Sequence, residues 1–190
     1  MRLASRAGFA TLLVLLSFSS MAWADDVSDR QALIFARALA YDRNLAERAG
    51  EKLAIGVLYI SGNAASEKDR DAMYDAFVKA SKVKVAGLDV SVHKLSYQDI
   101  ATLETQFSTN GIDALYVCAG LDGEIASIVG LTQSKSVSTM SSVRSYADKG
   151  VSVVVSVADD KPKIVVNLEA SKSEGMKLSG ELLKIAEVIK

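Results

Sequence analysis

The sequence predicts an α/β fold: three layers, with a mostly parallel sheet flanked by helices, a C-terminal antiparallel β-hairpin and a closing helix. Three observations predict it. From Leu53 onward, apolar runs of strand length alternate with segments of helical periodicity, the pattern of strand–helix–strand units. The stretch VSVVVSVADDKPKIVVNL joins Val151–Val157 to Lys163–Leu168 through a turn cluster that holds the only proline, Pro162. That link is too short for a parallel crossover, so these two strands pair antiparallel. The final stretch sets Leu178, Leu182, Ile185 and Ile189 at helical spacing, as a closing helix that buries these four side chains.

The elements follow in order. Arg2 and Arg6 precede an apolar run, Gly8–Phe18, and the triplet Ala22-Trp23-Ala24. This is the layout of a secretory signal peptide over residues 1–24, with cleavage expected after Ala24 and a periplasmic destination. The run falls short of the ~20 apolar residues of a membrane span, and no cysteine follows it for lipid attachment. Residues 25–190 then form one expected domain. Ser28, with Gln31 three residues on, reads as the N-cap and capping box of a helix whose apolar face carries Ala32, Leu33, Ile34, Phe35, Ala38 and Leu39. The helix then either continues or breaks near residues 42–44, with a stop at Gly50.

Leu53–Ile60 is a buried strand. Ser66–Ser81 is a helix capped by Ser66, with Met73, Tyr74, Phe77 and Val78 at helical spacing. Leu88–Ser96 alternates Leu88, Val90 and Val92 with Asp89, Ser91 and His93, an edge strand with one wet face. A helix with Ile100, Leu103 and Phe107 on one side leads to a core strand, IDALYVCAG. A helix with Ile125, Ile128, Val129 and Thr132 inward leads to a weaker strand, Ser136–Ser141. The hairpin lies toward one edge of the sheet and the His93 strand toward the other.

Composition narrows the chemistry. The chain has 22 basic and 23 acidic residues, and loss of the leader moves the net charge from −1 to −3. No basic block is present, which speaks against a nucleic-acid partner. One histidine, His93, and one cysteine, Cys118, cannot supply a catalytic triad, a usual transition-metal site or an intrachain disulfide. Cys118 lies in a core strand and reads as a small buried hydrophobe. There is no dinucleotide fingerprint, Walker loop or EF-hand loop. The turns after the first and third strands are followed by Glu67, Asp69 and Asp71, and by Asp122 and Glu124, which repel anions. No catalytic residue, cofactor or metal is expected, and the chain reads as non-enzymatic. If something binds, the carboxyl ends of the parallel strands are the place, with a rim of Ser61, Gly62, Asn63, Gly120, Asp122 and Ser142. Asn167, on the last long strand, reads as a structural amide bonded to backbone.

The tail carries a resemblance. From Ser136 to Ile189 the chain runs strand, short helix ending in Tyr146 and Gly150, hairpin, the strand of Asn167, then Gly175, Ser179 and the pair Leu182-Leu183. This resembles the YfiR-like family of bacterial periplasmic proteins. The resemblance implies a periplasmic repressor that contacts the sensor region of a membrane-bound diguanylate cyclase and so restrains cyclic-di-GMP synthesis. Family members with disulfide-forming cysteines imply redox gating, which Cys118 alone cannot provide. Regulation through protein contact predicts an exposed apolar patch, with the helix bearing ALIFARALAY as its candidate seat; the plainer reading of that helix is that it packs on the sheet. The alternative is a single-lobe periplasmic small-molecule-binding protein, accessory to a transport system.

Overall fold

The computed structural model describes residues 21–158 and 161–190. Most of the expected leader, residues 1–20, lies outside the described residues. Eight helices and seven strands follow one another among those residues: α1 (Met21–Ala40), α2 (Leu45–Ala49), β1 (Lys52–Ile60), α3 (Ala64–Ala80), β2 (Asp89–Tyr97), α4 (Ile100–Asn110), β3 (Ala114–Val117), α5 (Ile125–Lys135), β4 (Ser138–Ser141), α6 (Arg144–Ala147), β5 (Val153–Ala158), β6 (Lys161–Asn167), α7 (Leu168–Ser173), α8 (Gly180–Ile185) and β7 (Glu187–Ile189). All seven strands join one sheet in the order β2-β1-β3-β4-β5-β6-β7. The α/β class, the mostly parallel sheet and the hairpin are as the sequence predicts. β5 and β6 pair antiparallel from Val153↔Val166 to Ala158↔Lys161, and the other pairings between these seven strands are parallel.

Helices cover both faces of the sheet. On one face α1 and α3 bury Phe35, Phe77 and Tyr116 as a ring trio, with centroids 5.7–6.2 Å apart, together with Ile55, Val57, Met140 and Val153. On the other face α4, α5 and α6 bury Leu103, Phe107, Ile125, Ile128, Val129 and Tyr146 against Leu58, Leu115, Val117 and Val154. Residues 114–118 are wholly buried. This is why their sequence is continuously apolar rather than alternating.

Three helix starts and ends differ from the sequence reading. Ser28 is no N-cap, because α1 already runs from Met21; its expected partner Gln31 turns inward and donates to the Val155 carbonyl at 2.8 Å. Asn63, not Ser66, caps α3, its Oδ1 accepting from Ala65 and Ser66 N–H, both at 3.1 Å. Ser66 is buried instead, and its hydroxyl accepts from Ile60 N–H at 3.0 Å at the end of β1. Ser136 ends α5 in the left-handed conformation, so β4 begins only at Ser138.

A closing helix follows the hairpin as predicted, but α8 is shorter than the span from Leu178 to Ile189. Gly175, with φ +77°, turns the chain after α7. Residues 177–179 then bond along the loop after α1: Arg43 N–H to Lys177 O at 3.1 Å, and Ser179 N–H to Tyr41 O at 2.9 Å. These bonds remove the start of the expected helix. α8 keeps Leu182 buried but leaves Ile185 68% exposed. Beyond Ala186 the backbone is extended, and Glu187, held by Lys163 at 2.6 Å and Arg144 at 2.9 Å, starts β7 beside β6. Ile189 therefore lies on a strand, and β7 forms the edge outside the hairpin. At the opposite edge, β2 is less one-sided than its alternation implies: Leu95 and Tyr97, in step with Ser91 and His93, are buried under α4.

Candidate functional site

The sheet changes direction between β1 and β3, since β1 leads to β2 on one side and the chain then returns to the other. In open α/β sheets a ligand crevice forms at such a point, beyond the carboxyl ends of the strands. The loop after β1 brings Ser61, Gly62 and Asn63 there; the loop after β3 brings Gly120 and Asp122; Ser142 follows β4. Ser61, Gly120 and Asp122 are exposed, while Asn63 and Ser142 are half-buried.

The crevice is occupied by the chain itself. The Asn63 amide lies so close to Gly120 that a Cβ there would stand 2.9 Å from Asn63 Nδ2; Gly120 also has φ +87°. Only glycine suits both the close approach and the left-handed backbone. Behind this contact, the Asp69 carboxylate of α3 accepts from Ala119 N–H at 2.8 Å and from the Tyr116 hydroxyl at 3.1 Å. Tyr116 has one phenolic proton, so with Asp69 accepting it Ser142 Oγ, at 2.8 Å, is the donor to Tyr116. Burial raises the Asp69 carboxyl above its ordinary range, against the lowering effect of these two bonds. The thiol of Cys118 is pushed far upward by burial, with Asp69 adding to it, and is unreactive.

The rest of the β3 loop is pinned from the other face. Tyr146 accepts from Leu121 N–H at 3.0 Å and donates to Asp122 Oδ2 at 3.1 Å; burial and Asp122 push its phenol up to about 12. Tyr97 donates to Glu124 at 2.8 Å. The predicted rim is thus only partly brought together: Asn63 meets Gly120, and Ser142 reaches Asp69 through Tyr116, whereas Asp122 belongs to a separate contact with Tyr146. His93, on β2, lies 3.3 Å from Ser91 Oγ and takes no part.

Two further residues escaped the sequence reading. Asp69 reads in the sequence only as one of the α3 acids that repel anions, but it precedes Met73 by four and Ala76 by seven. This is the spacing of the buried face, a signal that could have found it. Glu174, fully buried, has no such signal. Its carboxylate accepts from Thr139 N–H at 2.8 Å, Thr139 Oγ1 at 2.7 Å, Thr132 Oγ1 at 3.2 Å and the Ser152 hydroxyl. β4 and β5 pair only through Met140↔Val153 and Ser141↔Val154, and Glu174 supplies partners where that pairing stops. Burial outweighs these four bonds and raises its carboxyl to about 7.

The motif residues of the tail are joints. Asn167 caps α7 by accepting from Ala170 N–H and donates to the Ala147 carbonyl, both at 2.9 Å, so it is a structural amide. Tyr146 locks the β3 loop, Gly175 makes the turn after Glu174, and Leu182 is core. A family model described as YfiR/HmsC-like matches residues 66–187. The chain belongs to the YfiR/HmsC-like family. The matched region starts within α3 and takes in every joint just described.

No curated protein matches the chain. Among solved structures, this YfiR/HmsC-like chain is similar to the ABC domain in complex with L-Trp from Streptococcus pneumonia (18% identity, TM-score 0.57, 80% of this chain and 62% of that one). It is also similar to a ligand-free, open substrate binding protein with adhesive properties from Clostridium difficile (15% identity, TM-score 0.54, 77% and 57%). A third is a conserved domain protein from Vibrio cholerae O1 biovar eltor (12% identity, TM-score 0.62, 86% and 60%). The matches span about three fifths of the length of each of these chains, and at such identities the likeness is one of fold.

Away from the crevice, apolar surface stands open. Between α1 and α3 runs a groove of about 310 Å³, lined by Leu33, Ala36, Ala40, Ala80, Val83 and Val85 with Arg37 and Lys84. Leu33 is 50% and Val83 70% exposed. Among the described residues no three His, Cys, Asp or Glu side chains are grouped to hold a metal, and no helix is long and apolar enough to cross a membrane.

Proposed function

We propose that this chain is a non-enzymatic periplasmic regulator that acts by contact with a membrane-bound sensor protein, and that the sensor is a diguanylate cyclase. The observation that carries the reading is the contrast between crevice and groove. The position where this fold takes small ligands is filled by Asn63 and Asp69, while large apolar side chains stand exposed along α1 and after α3. Exposed apolar patches on otherwise polar surfaces are seats for other proteins. Membership of the YfiR/HmsC-like family supports the regulatory part. Lone, buried Cys118 makes the regulation independent of an intrachain disulfide.

The test is to co-express the chain with a membrane-bound diguanylate cyclase of the same organism, export it to the periplasm and measure cellular cyclic-di-GMP. A fall in the nucleotide when the chain is present is expected. An unchanged level across the cyclases of that organism contradicts the proposal.

A second reading, a single-lobe small-molecule binder, rests on one open space of about 450 Å³ beside Asp69, lined by Val27, Ser28, Ala65, Lys68 and Ala72. It offers few convergent polar groups, which such sites need to fix a ligand's orientation. A thermal-shift screen of amino acids and small metabolites favours this reading only if one of them stabilises the chain.

A further inference from the structure

We infer that the groove between α1 and α3 receives an amphipathic helix whose apolar ridge is flanked by acidic side chains. The inference rests on the regulatory reading and names the chemistry of the partner's contacting element.

The groove has a local cause. α1 and α3 descend side by side, with Asp29 and Lys79 joined at 3.2 Å. Asp29 and Leu33 lie beside Ala76 and Ala80, and Ala36 and Ala40 beside Ala80 and Val83. The alanines facing one another cannot fill the seam, while Leu33 and Val83 rise along it with half or more of their surface in solvent. From Leu33 to Ala40 the seam extends about 10 Å, or two helical turns. That length holds apolar anchors at i, i+3 or i+4, and i+7 of a docked helix. A concave seam between two helices suits a ridge better than it suits a flat lipid surface.

Charge selects among ridges. The two charged residues lining the groove, Arg37 and Lys84, are both cationic. Lys82, next to Val83, is exposed and adds a third positive charge on this rim. Lys84 holds Asp89 at 3.1 Å, but both side chains are more than 60% exposed, so the pair is weak and can be exchanged for a partner's carboxylate. The whole chain carries a net charge of −1, so this rim runs against the balance of the molecule. Complementary potential of this kind sets partner choice and speeds encounter.

The experiment uses the full mature chain and two synthetic helical peptides that share one leucine ridge. One peptide is flanked by glutamates, the other by lysines, and binding is followed by fluorescence anisotropy at low and high salt. The Glu-flanked peptide is expected to bind at least about tenfold more tightly, a difference of about 1.4 kcal/mol, with the preference shrinking at high salt. Leu33→Asp and Val83→Asp are expected to abolish binding with no change in melting temperature, and Arg37→Glu to abolish the preference. Four results overturn the inference. They are equal affinity for the two peptides, no binding of either, binding that survives both Asp variants, or selective binding to phosphatidylglycerol vesicles with none to the peptides. A concentration-dependent dimer that Leu33→Asp disperses also overturns it, by making a second copy the occupant. The regulatory reading is judged separately. If wild type and the Leu33→Asp/Val83→Asp variant lower cyclic-di-GMP equally, the groove is wrong and regulation stands; if neither lowers it, regulation fails whatever the peptides do.

Discussion

The loops at the carboxyl ends of the strands and the seam between α1 and α3 are the two places where this fold could take a partner, and they are built on opposite principles. In the loops, polar side chains have met partners from the same chain: Asp69 with Ala119 and Tyr116, Asn63 with α3, Tyr146 with Leu121. In the seam, short side chains meet and leave apolar surface unfilled. A region that has satisfied itself contributes stability and has little left to offer a ligand. A region left open contributes little stability and keeps its surface for association. Glu174, in its cage of hydroxyls between β4 and β5, obeys the first principle without any countercharge.

This contrast can be broken in graded steps. Glu174 should give the largest effect. Its folded carboxyl titrates near 7, against about 4.3 for a free glutamate. The folded state therefore keeps a proton that the unfolded state has lost, and stability falls as pH rises from about 4.3 to 7, by about 4 kcal/mol at most. Urea denaturation between pH 4.5 and 8 should show that decline, and Glu174→Gln should flatten it. A wild type that gains stability over the same window contradicts the cage. Next comes Asp69→Ala, which strands the Ala119 N–H and the Tyr116 hydroxyl in the interior and should cost about 2 kcal/mol. Asp69→Asn, which still offers an acceptor, should cost less than half of that. Tyr146→Phe removes the acceptor of Leu121 N–H and should cost about 1 kcal/mol, read as a lower urea midpoint at constant slope. At the bottom of the scale, the Leu33→Asp/Val83→Asp variant should move stability by no more than about 0.5 kcal/mol. A large loss there would make the seam part of the core and remove the contrast.

The layered architecture was legible because it rests on periodicity. The continuous run at residues 114–118, the inward set Ile125, Ile128, Val129 and Thr132, and the short hairpin link each admit one reading. What was not legible depends on contacts remote in sequence. The expected closing helix has acceptable local propensity, and only the loop at residues 41–43, more than 130 residues earlier, draws Lys177 and Ser179 out of it. Asp42 is the anchor: its carboxylate accepts from Lys177 N–H at 2.7 Å and from Arg48 at 2.6 Å, and Arg48 reaches on to Ser136 and Ser138. Position alone placed Asn63, Gly120 and Ser142 at the end of the sheet, but not the fact that Asn63 and Asp69 plug it. An acid on a buried helical stripe is visible in sequence, whereas its partner, the amide of Ala119, is not.

The most direct measurement compares two variants in one binding assay, against the purified periplasmic sensor region of a diguanylate cyclase whose cyclic-di-GMP output falls on co-expression with the wild-type chain. Leu33→Asp/Val83→Asp opposes the seam, and Asn63→Ala/Ser142→Ala alters the rim of the crevice. The first should lose at least about tenfold in affinity, about 1.4 kcal/mol, while the second should stay within about twofold of wild type. Full affinity in the seam variant together with loss in the rim variant would contradict the contrast between seam and crevice.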